Sequence, residues 1–345
     1  LHSGSESGFG GDLRFGEATG LAGADKLCTT IAEAELSGSG AKGWRAFLSD
    51  VTGGNADLQA YLQRMAGYCL TGATSAHALF FLYGTGANGK SVFVNVLATI
   101  LGDYATNAPM DTFMEARGDR HPTDLAGLRG ARFVAAIETE QGRRWNESKV
   151  KAITGGDKVS ARFMRQDFFE YTPQFKLVIA GNHKPAIRNV DEAMKRRMHL
   201  IPFTVTIPPD HRDPKLTEKL LAERDGILAW AMAGCLQWQR TGLQPPAIVV
   251  SATEEYFEAE DALGRWIDER CVREVNAKAL TGELFNDWKT WAEAAGEFVG
   301  SQRRFSDLLI TRGIEKWRNP LGVRGFRGLG LKVAPRVGHT PYADA

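Results

Sequence analysis

The run Gly84-Thr85-Gly86-Ala87-Asn88-Gly89-Lys90-Ser91 satisfies two nucleotide-binding patterns at once. As G-x-G-x-x-G it reads as a dinucleotide fingerprint; as G-x-x-x-x-G-K-[ST] it reads as a phosphate-binding loop. A dinucleotide site needs an acid about 20 residues further on, at the end of the next strand, to hold the ribose. Asp103 and Asp111 are the nearest acids, and neither ends a convincing strand. The phosphate-loop reading explains more residues. Glycines 84, 86 and 89 let backbone N–H groups turn inward around phosphate oxygens. Lys90 offers a point charge to the β- and γ-phosphates, and Ser91 offers a hydroxyl to Mg²⁺. The helix that starts there adds the positive end of its dipole.

Such a loop needs acids on a neighbouring strand to hold Mg²⁺ and orient water. Glu138 and Glu140 end the apolar run "RFVAAIETE", and at a period of two they point the same way. Glu138 is assigned to the metal and Glu140 to the attacking water, with the reverse left open. Asn182 ends "FKLVIAGN", where a neutral amide can hold the water or the γ-phosphate without adding negative charge. Lys195-Arg196-Arg197 precede a further apolar run. They read either as surface charge or as an arginine finger that reaches a neighbouring subunit's ATP.

These residues need a scaffold. Ala78 to Tyr83 is an apolar run that predicts a buried strand; the loop follows, then a helix from Lys90 to Leu101 that Gly102 ends. "RFVAAIETE" (132–140), "FKLVIAGN" (175–182) and "MHLIPF" (198–203) predict three more strands. Strands alternating with helical segments imply an α/β fold, a parallel sheet with helices packed on it. Upstream, Asn55 is placed to cap a helix that carries Leu58, Tyr61, Leu62, Met65 and Cys69 on one stripe. This predicts a small helical collar over 44–75, with 1–43 left as a Gly-rich, loop-like segment. The nucleotide domain is drawn over 76–245, where Pro245-Pro246 marks a boundary. In the last hundred residues, 258–270 and 281–294 predict helices, and Ser301 caps a third. A hairpin follows around Asn319-Pro320-Leu321-Gly322. Three helices and a basic hairpin over 246–345 make a winged-helix pattern.

The chain has 345 residues, 43% hydrophobic and 24% charged, with a net charge of +1. That near-neutrality hides an asymmetry. Between Gln302 and Arg336 stand nine basic residues against two acids, so the rest of the chain is acidic. A basic tail on an acidic body suits a polyanionic partner as well as a solvated surface. No apolar run approaches the roughly 18 residues that span a bilayer, so no membrane association is expected. The four cysteines lie far apart, which suits a reducing cytoplasm and argues against zinc. The polar, Gly/Ser-rich start is not a signal peptide, and without an initial Met it reads as a processed or truncated fragment.

Taken together, "YGTGANGKS", "IETE", "ITGGDKVSARFMRQDFFEYTPQFKLVIAGNHKP" and "DEAMKRRMHLIPF" resemble the superfamily 3 helicases. The similarity is strongest to the phage and plasmid primase–helicase family, including its poxvirus-like members. It runs from about Trp44 to Leu331. The resemblance implies an AAA+ fold, a homo-hexameric ring, Mg²⁺-ATP hydrolysis and 3′→5′ movement on single-stranded or forked DNA. A primase or replication initiator is a further implied partner. It also implies a replication role for a phage, plasmid or mobile element, in the cytoplasm of a bacterial host. The family's channel hairpin falls on Lys149 to Phe169, with Arg165 the first candidate for a phosphate contact and Arg162 and Lys158 behind it. Arg303, Arg304, Arg318, Arg324 and Arg327 are the DNA candidates of the winged-helix segment. The chain has no room for the upstream primase domain the family often carries. Two other readings compete: a DNA-binding AAA+ initiator or scaffold that unwinds little, and a small-molecule kinase.

Overall fold

The computed structural model describes residues 41–115, 123–138, 143–187, 190–319 and 321–332. Five strands form the main sheet: β1 (Leu79–Tyr83), β2 (Ala105–Asn107), β3 (Phe133–Glu138), β6 (Lys176–Gly181) and β7 (Met198–Pro202). Their order is β2-β3-β6-β1-β7, and every pairing is parallel. Between β3 and β6 the chain makes a small antiparallel hairpin, β4 (Val159–Ala161) and β5 (Phe169–Tyr171). The strands read as unbroken apolar runs because both faces of a parallel sheet are covered.

The helices of this unit include α1 (Lys42–Thr52), α2 (Ala56–Leu70), α3 (Lys90–Leu101), α4 (Thr123–Ala126), α5 (Glu147–Gly155), α6 (Glu192–Lys195), α7 (Leu216–Leu221) and α8 (Arg224–Thr241), and α1, α2, α3, α7 and α8 cover one face of the sheet. Asn55 caps α2 as expected, its Oδ1 accepting from Leu58 N at 2.9 Å. Trp44 of α1 stacks on Phe93 of α3 at 5.6 Å between ring centres, and Tyr61, Phe80, Leu82 and Phe203 share their core. Helices α2 and α8 cross where Gly67 and Gly234 meet; a methyl on either would stand 2.0 Å from the other helix's backbone. The helices at 42–70 are therefore part of the sheet's own core and not a detached collar.

The other face buries Leu79, Phe81, Val134, Leu177, Ile179 and Leu200 against Trp145, Val150, Tyr256 and Phe257. The last two come from α9 (Ala247–Glu260). This moves the boundary expected at 245. The first unit runs to Phe257, because α9 is an amphipathic helix whose apolar side belongs to this sheet.

The second unit begins at Glu258. It contains α10 (Ala262–Arg270), β8 (Cys271–Val272), β9 (Lys278–Leu280), α11 (Thr281–Ala294), α12 (Gln302–Thr311), β10 (Glu315–Arg318), β11 (Arg324–Arg327) and β12 (Gly330–Leu331). The helix expected over 258–270 is interrupted at Asp261, which leaves the helix and caps α10 through Gly264 N at 2.9 Å. Ser301 caps α12 at Arg304 N. The hairpin β10–β11 gains a third antiparallel strand, β9. Trp266, Trp288, Phe305, Leu309 and Phe326 form the core of this unit. Among the described residues, no helix is long and apolar enough to cross a membrane.

Candidate active site

The site lies at the C-terminal edge of the main sheet, where register sets its members level. Tyr83 of β1 pairs with Gly181 of β6, and Gly181 pairs with Glu138 of β3. Gly84, Asn182 and the end of β3 therefore emerge side by side. They frame a cleft of about 330 Å³ lined by Gly86, Asn88, Lys90, Ser91, Ile137 and Asn182, among others. Thr85, Ala87 and Ser91 are exposed at its mouth, while Asn88 and Lys90 are buried. Gly84 passes so close to the next strand's exit that a Cβ would lie 2.0 Å from Phe203 O. Gly86 and Gly89 hold φ of +108° and +82°, the left-handed backbone that turns amides inward.

Lys90 stands at the start of α3. Its Nζ donates to Gly84 O at 2.8 Å, Asn88 Oδ1 at 2.9 Å and Asn182 Oδ1 at 3.1 Å. Burial lowers its pKa from the usual lysine range. Asn88 donates from Nδ2 to Phe203 O at 2.7 Å, and Ile207 N donates to Ala87 O at 2.8 Å, so the segment after β7 straps the loop from outside.

The strand order corrects one expectation. The acidic strand β3 does not neighbour β1; β6 lies between them. Asn182, at the end of β6, is therefore the residue beside the loop, and Glu138 stands one strand further out. Glu140 lies outside the described residues.

Two residues that sequence reasoning passed over support the Asn182 segment. Lys184 places its ammonium 4.1 Å from the Tyr83 ring centre, and burial lowers its pKa while Glu255 opposes that shift. Tyr256 donates its hydroxyl to Pro185 O and accepts from Trp145 Nε1 at 3.2 Å. Both contacts join residues far apart in sequence, so no local pattern announced them.

Arg196 and Arg197 are separated by their surroundings. They precede β7, at the sheet edge opposite the cleft. Arg196 is exposed. Arg197 is 8% exposed; its Nη1 donates to Ala193 O at 2.8 Å, and its Nε finds no partner among the described residues. Arg197 is thus engaged within its own chain, whereas Arg196 is open to solvent.

A hairpin lies in the segment expected to line a channel, but it begins after 149, since Lys149 lies in α5 and the hairpin spans β4 to β5. Its tip exposes Phe163 (42%), Met164 (75%) and Phe168 (59%). Arg165 takes φ +61° in the turn. Arg162 lies over the Phe168 ring at 4.8 Å, and Lys158 is exposed at the base. Arg129, from a distant turn, lies over Phe169 at 5.3 Å and adds a cation that the sequence did not point to.

In the second unit, Arg303, Arg318 and Arg324 are exposed, and Arg318 faces Arg324 directly across the hairpin. Arg304 lies over Phe298, and Arg327 pairs with Glu315 at 2.6 Å. Both side chains thus have partners within the unit. No group of His, Cys, Asp and Glu among the described residues could hold a metal by itself. The Ser91 hydroxyl at the helix start remains a fitting donor beside a nucleotide's own phosphates.

Comparison with known proteins agrees with the motifs. Residues 82–197 match DUF5906, a family of unknown function. The chain is 26% identical over 272 residues to "Putative helicase L207/L206" of Acanthamoeba polyphaga mimivirus, covering 73% of this chain and 28% of that protein. It is 26% identical over 256 residues to "Putative helicase 022R" of Frog virus 3, covering 68% and 26%. It is 23% identical over 240 residues to "Putative primase C962R" of African swine fever virus (strain Badajoz 1971 Vero-adapted), covering 63% and 25%. The chain thus spans about a quarter of the length of the curated relatives it matches. An apo structure of the NrS-1 C-terminal region superposes with a TM-score of 0.49 at 13% identity, covering 79% of this chain and 63% of that one. The chain is therefore similar to viral proteins named as helicases and primases, the resemblance its motifs carry.

Proposed function

We propose that the chain is the motor of a DNA helicase: an AAA+ ATPase that hydrolyses Mg²⁺-ATP between the subunits of a homo-hexameric ring and moves 3′→5′ along single-stranded DNA. The observation that carries this reading is the polarity of the sheet. Lys90, Asn182 and the end of β3 meet at one edge, while the exposed Arg196 and the hairpin that follows α5 belong to the elements at the other. A subunit so built has half a catalytic site at each edge, which suits head-to-tail stacking in a closed ring.

In this reading the loop amides and Lys90 bind the β- and γ-phosphates, and Asn182 orients the attacking water. Ser91 and Glu138 would hold Mg²⁺, which neutralises charge on the phosphates. Arg196 of a neighbour meets the charge that develops on the transferred phosphoryl group. The hairpin offers Arg165 and Arg162 to phosphates, with Arg129 beside it, and its aromatic tip to bases, the combination that suits a single strand. The second unit, read as a winged helix, offers Arg303, Arg318 and Arg324 to duplex DNA at the fork. The viral relatives named as helicases and primases support a role on DNA.

The test is ATP hydrolysis with and without single-stranded DNA, joined to unwinding of duplexes tailed at either end. Stimulated hydrolysis and unwinding from the 3′ tail are expected, and Lys90→Ala should lose both while remaining folded. Stimulation without unwinding from either tail would instead identify an initiator or scaffold. Hydrolysis indifferent to DNA and to Lys90→Ala would refute the assignment.

A further inference from the structure

Within the loop, Asn88 occupies a position that the G-x-x-x-x-G-K-[ST] pattern leaves variable. In the structure it is 3% exposed, and both ends of its amide are used inside the protein. Nδ2 donates to Phe203 O at 2.7 Å, and Oδ1 accepts from Lys90 Nζ at 2.9 Å. The ammonium's other contacts are Gly84 O at 2.8 Å and Asn182 Oδ1 at 3.1 Å. A lysine ammonium has three N–H donors. Three protein acceptors match those three donors, so a phosphate oxygen that takes a full N–H from Lys90 displaces one of them.

The three partners are not equally able to yield. Gly84 O is main chain at the end of a strand that is hydrogen-bonded on both sides. Asn88 is buried and anchored at its far end. Asn182 makes the longest contact, is exposed, and borders the cleft in which a phosphate would lie.

We propose that Asn88 is a positioning residue that holds the Lys90 ammonium in place throughout the ATP cycle, and that Asn182 is the exchangeable partner that Lys90 gives up for a phosphate oxygen. The inference rests on the nucleotide reading of the cleft and adds a sequence of events to it. Before ATP binds, Asn182 is tied to the lysine. Once a phosphate takes its place, the amide is released toward the γ-phosphate and the attacking water. The water-orienting group is thereby withheld until substrate is bound.

The experiment is a double-mutant cycle on the full chain, with affinities for a fluorescent ATP analogue titrated to millimolar concentrations. The proteins are wild type, Asn88→Ala, Lys90→Ala and the double variant. Asn88→Ala should weaken binding about tenfold, the scale of one hydrogen bond to a charged group. In the Lys90→Ala background the same change should have no further effect. An equal loss in both backgrounds would mean that Asn88 serves only to strap Phe203, and the proposal would fall. Circular dichroism checks folding, and Asn88→Ser runs through the same cycle in case the alanine variant does not fold. Asn182→Ala should leave nucleotide affinity unchanged or tighter while turnover falls. A loss of affinity as large as that of Lys90→Ala would overturn the exchange. A wild-type chain that binds no analogue would refute the nucleotide reading itself, an outcome distinct from either.

Discussion

Arg196→Ala separates a ring ATPase from one that works alone. Arg196 lies two residues before β7 and the cleft lies beyond its far end, next to Phe203. At about 3.3 Å per residue that is a span of about 20 Å, several times the reach of an arginine side chain. The arginine cannot touch the nucleotide of its own subunit, so a direct contact with the transferred phosphoryl group must be with a neighbour's. An arginine finger contributes about 10³–10⁵ in rate, or about 4–7 kcal/mol. The variant should therefore bind ATP normally and turn over at under a thousandth of the wild-type rate. The sharper assay mixes it with Lys90→Ala, which is dead for the opposite reason. In an equal mixture, each interface has one chance in two of an intact loop and one in two of an intact finger. Independent interfaces then restore about a quarter of the wild-type rate from two inactive proteins. If subunit exchange is confirmed and every ratio stays inactive, the trans assignment of Arg196 fails. If Arg196→Ala alone retains a tenth of the activity, the finger is elsewhere.

Other expectations are independent of the ring. Burial lowers the pKa of Lys176 to about 8, below its unfolded value, so the unfolded chain holds the extra proton between those values and stability should rise with pH there, by up to about 3 kcal/mol. Cys69, pushed up to about 12 by burial, opposes this above about pH 9, so the comparison is of urea midpoints from pH 8 to 9; equal slopes in wild type and Lys176→Met would contradict it. Arg165→Ala and Arg129→Ala should each leave basal ATPase intact and reduce its stimulation by single-stranded DNA, measured by titration; full stimulation in both would remove the hairpin from the DNA path. Arg318→Ala/Arg324→Ala should lower the slope of log affinity against log salt for duplex DNA by about two, one per lost phosphate contact, and an unchanged slope would assign the second unit to another role.

The parts of this chain that local chemistry dictates were legible. Gly102 ends α3 where expected, Asn55 and Ser301 cap their helices, and α11 runs over the predicted residues. The loop could be read because its glycines, lysine and serine must be adjacent to surround a phosphate. What could not be read depends on pairing across long separations. No run of residues states that β6 lies between β1 and β3, so the place of Asn182 between loop and acid emerged only from the sheet. Pro245-Pro246 looked like a boundary, yet the helix after it buries Tyr256 and Phe257 in the sheet core. Arg196 and Arg197 are chemically equal in the sequence, and only the packing of α6 and β7 makes one exposed and the other buried. The short strands β4 and β5 carry too few residues for alternation to register, although the resemblance anticipated their hairpin.

One consequence of β7 reaches beyond a single subunit. Among the described residues it is the last strand of the sheet and pairs with β1 alone, with Thr253 of α9 accepting from Leu200 N at 3.1 Å on its outer side. One end continues Arg196; the other delivers Phe203 O to Asn88. An extended strand can neither stretch nor compress much, so displacement at one end is delivered to the other. We hypothesise that in a ring this makes β7 a pushrod. When a neighbour's nucleotide draws Arg196 toward it, the carbonyl that anchors the lysine's holder shifts in step. Each engine would then sense its neighbour's stroke, and hydrolysis would travel around the ring in turn. Wild-type ATPase should be cooperative in ATP and Asn88→Ala should not; equal cooperativity in both would disconnect the rod. A firing order of this kind would need no messenger beyond five residues of strand.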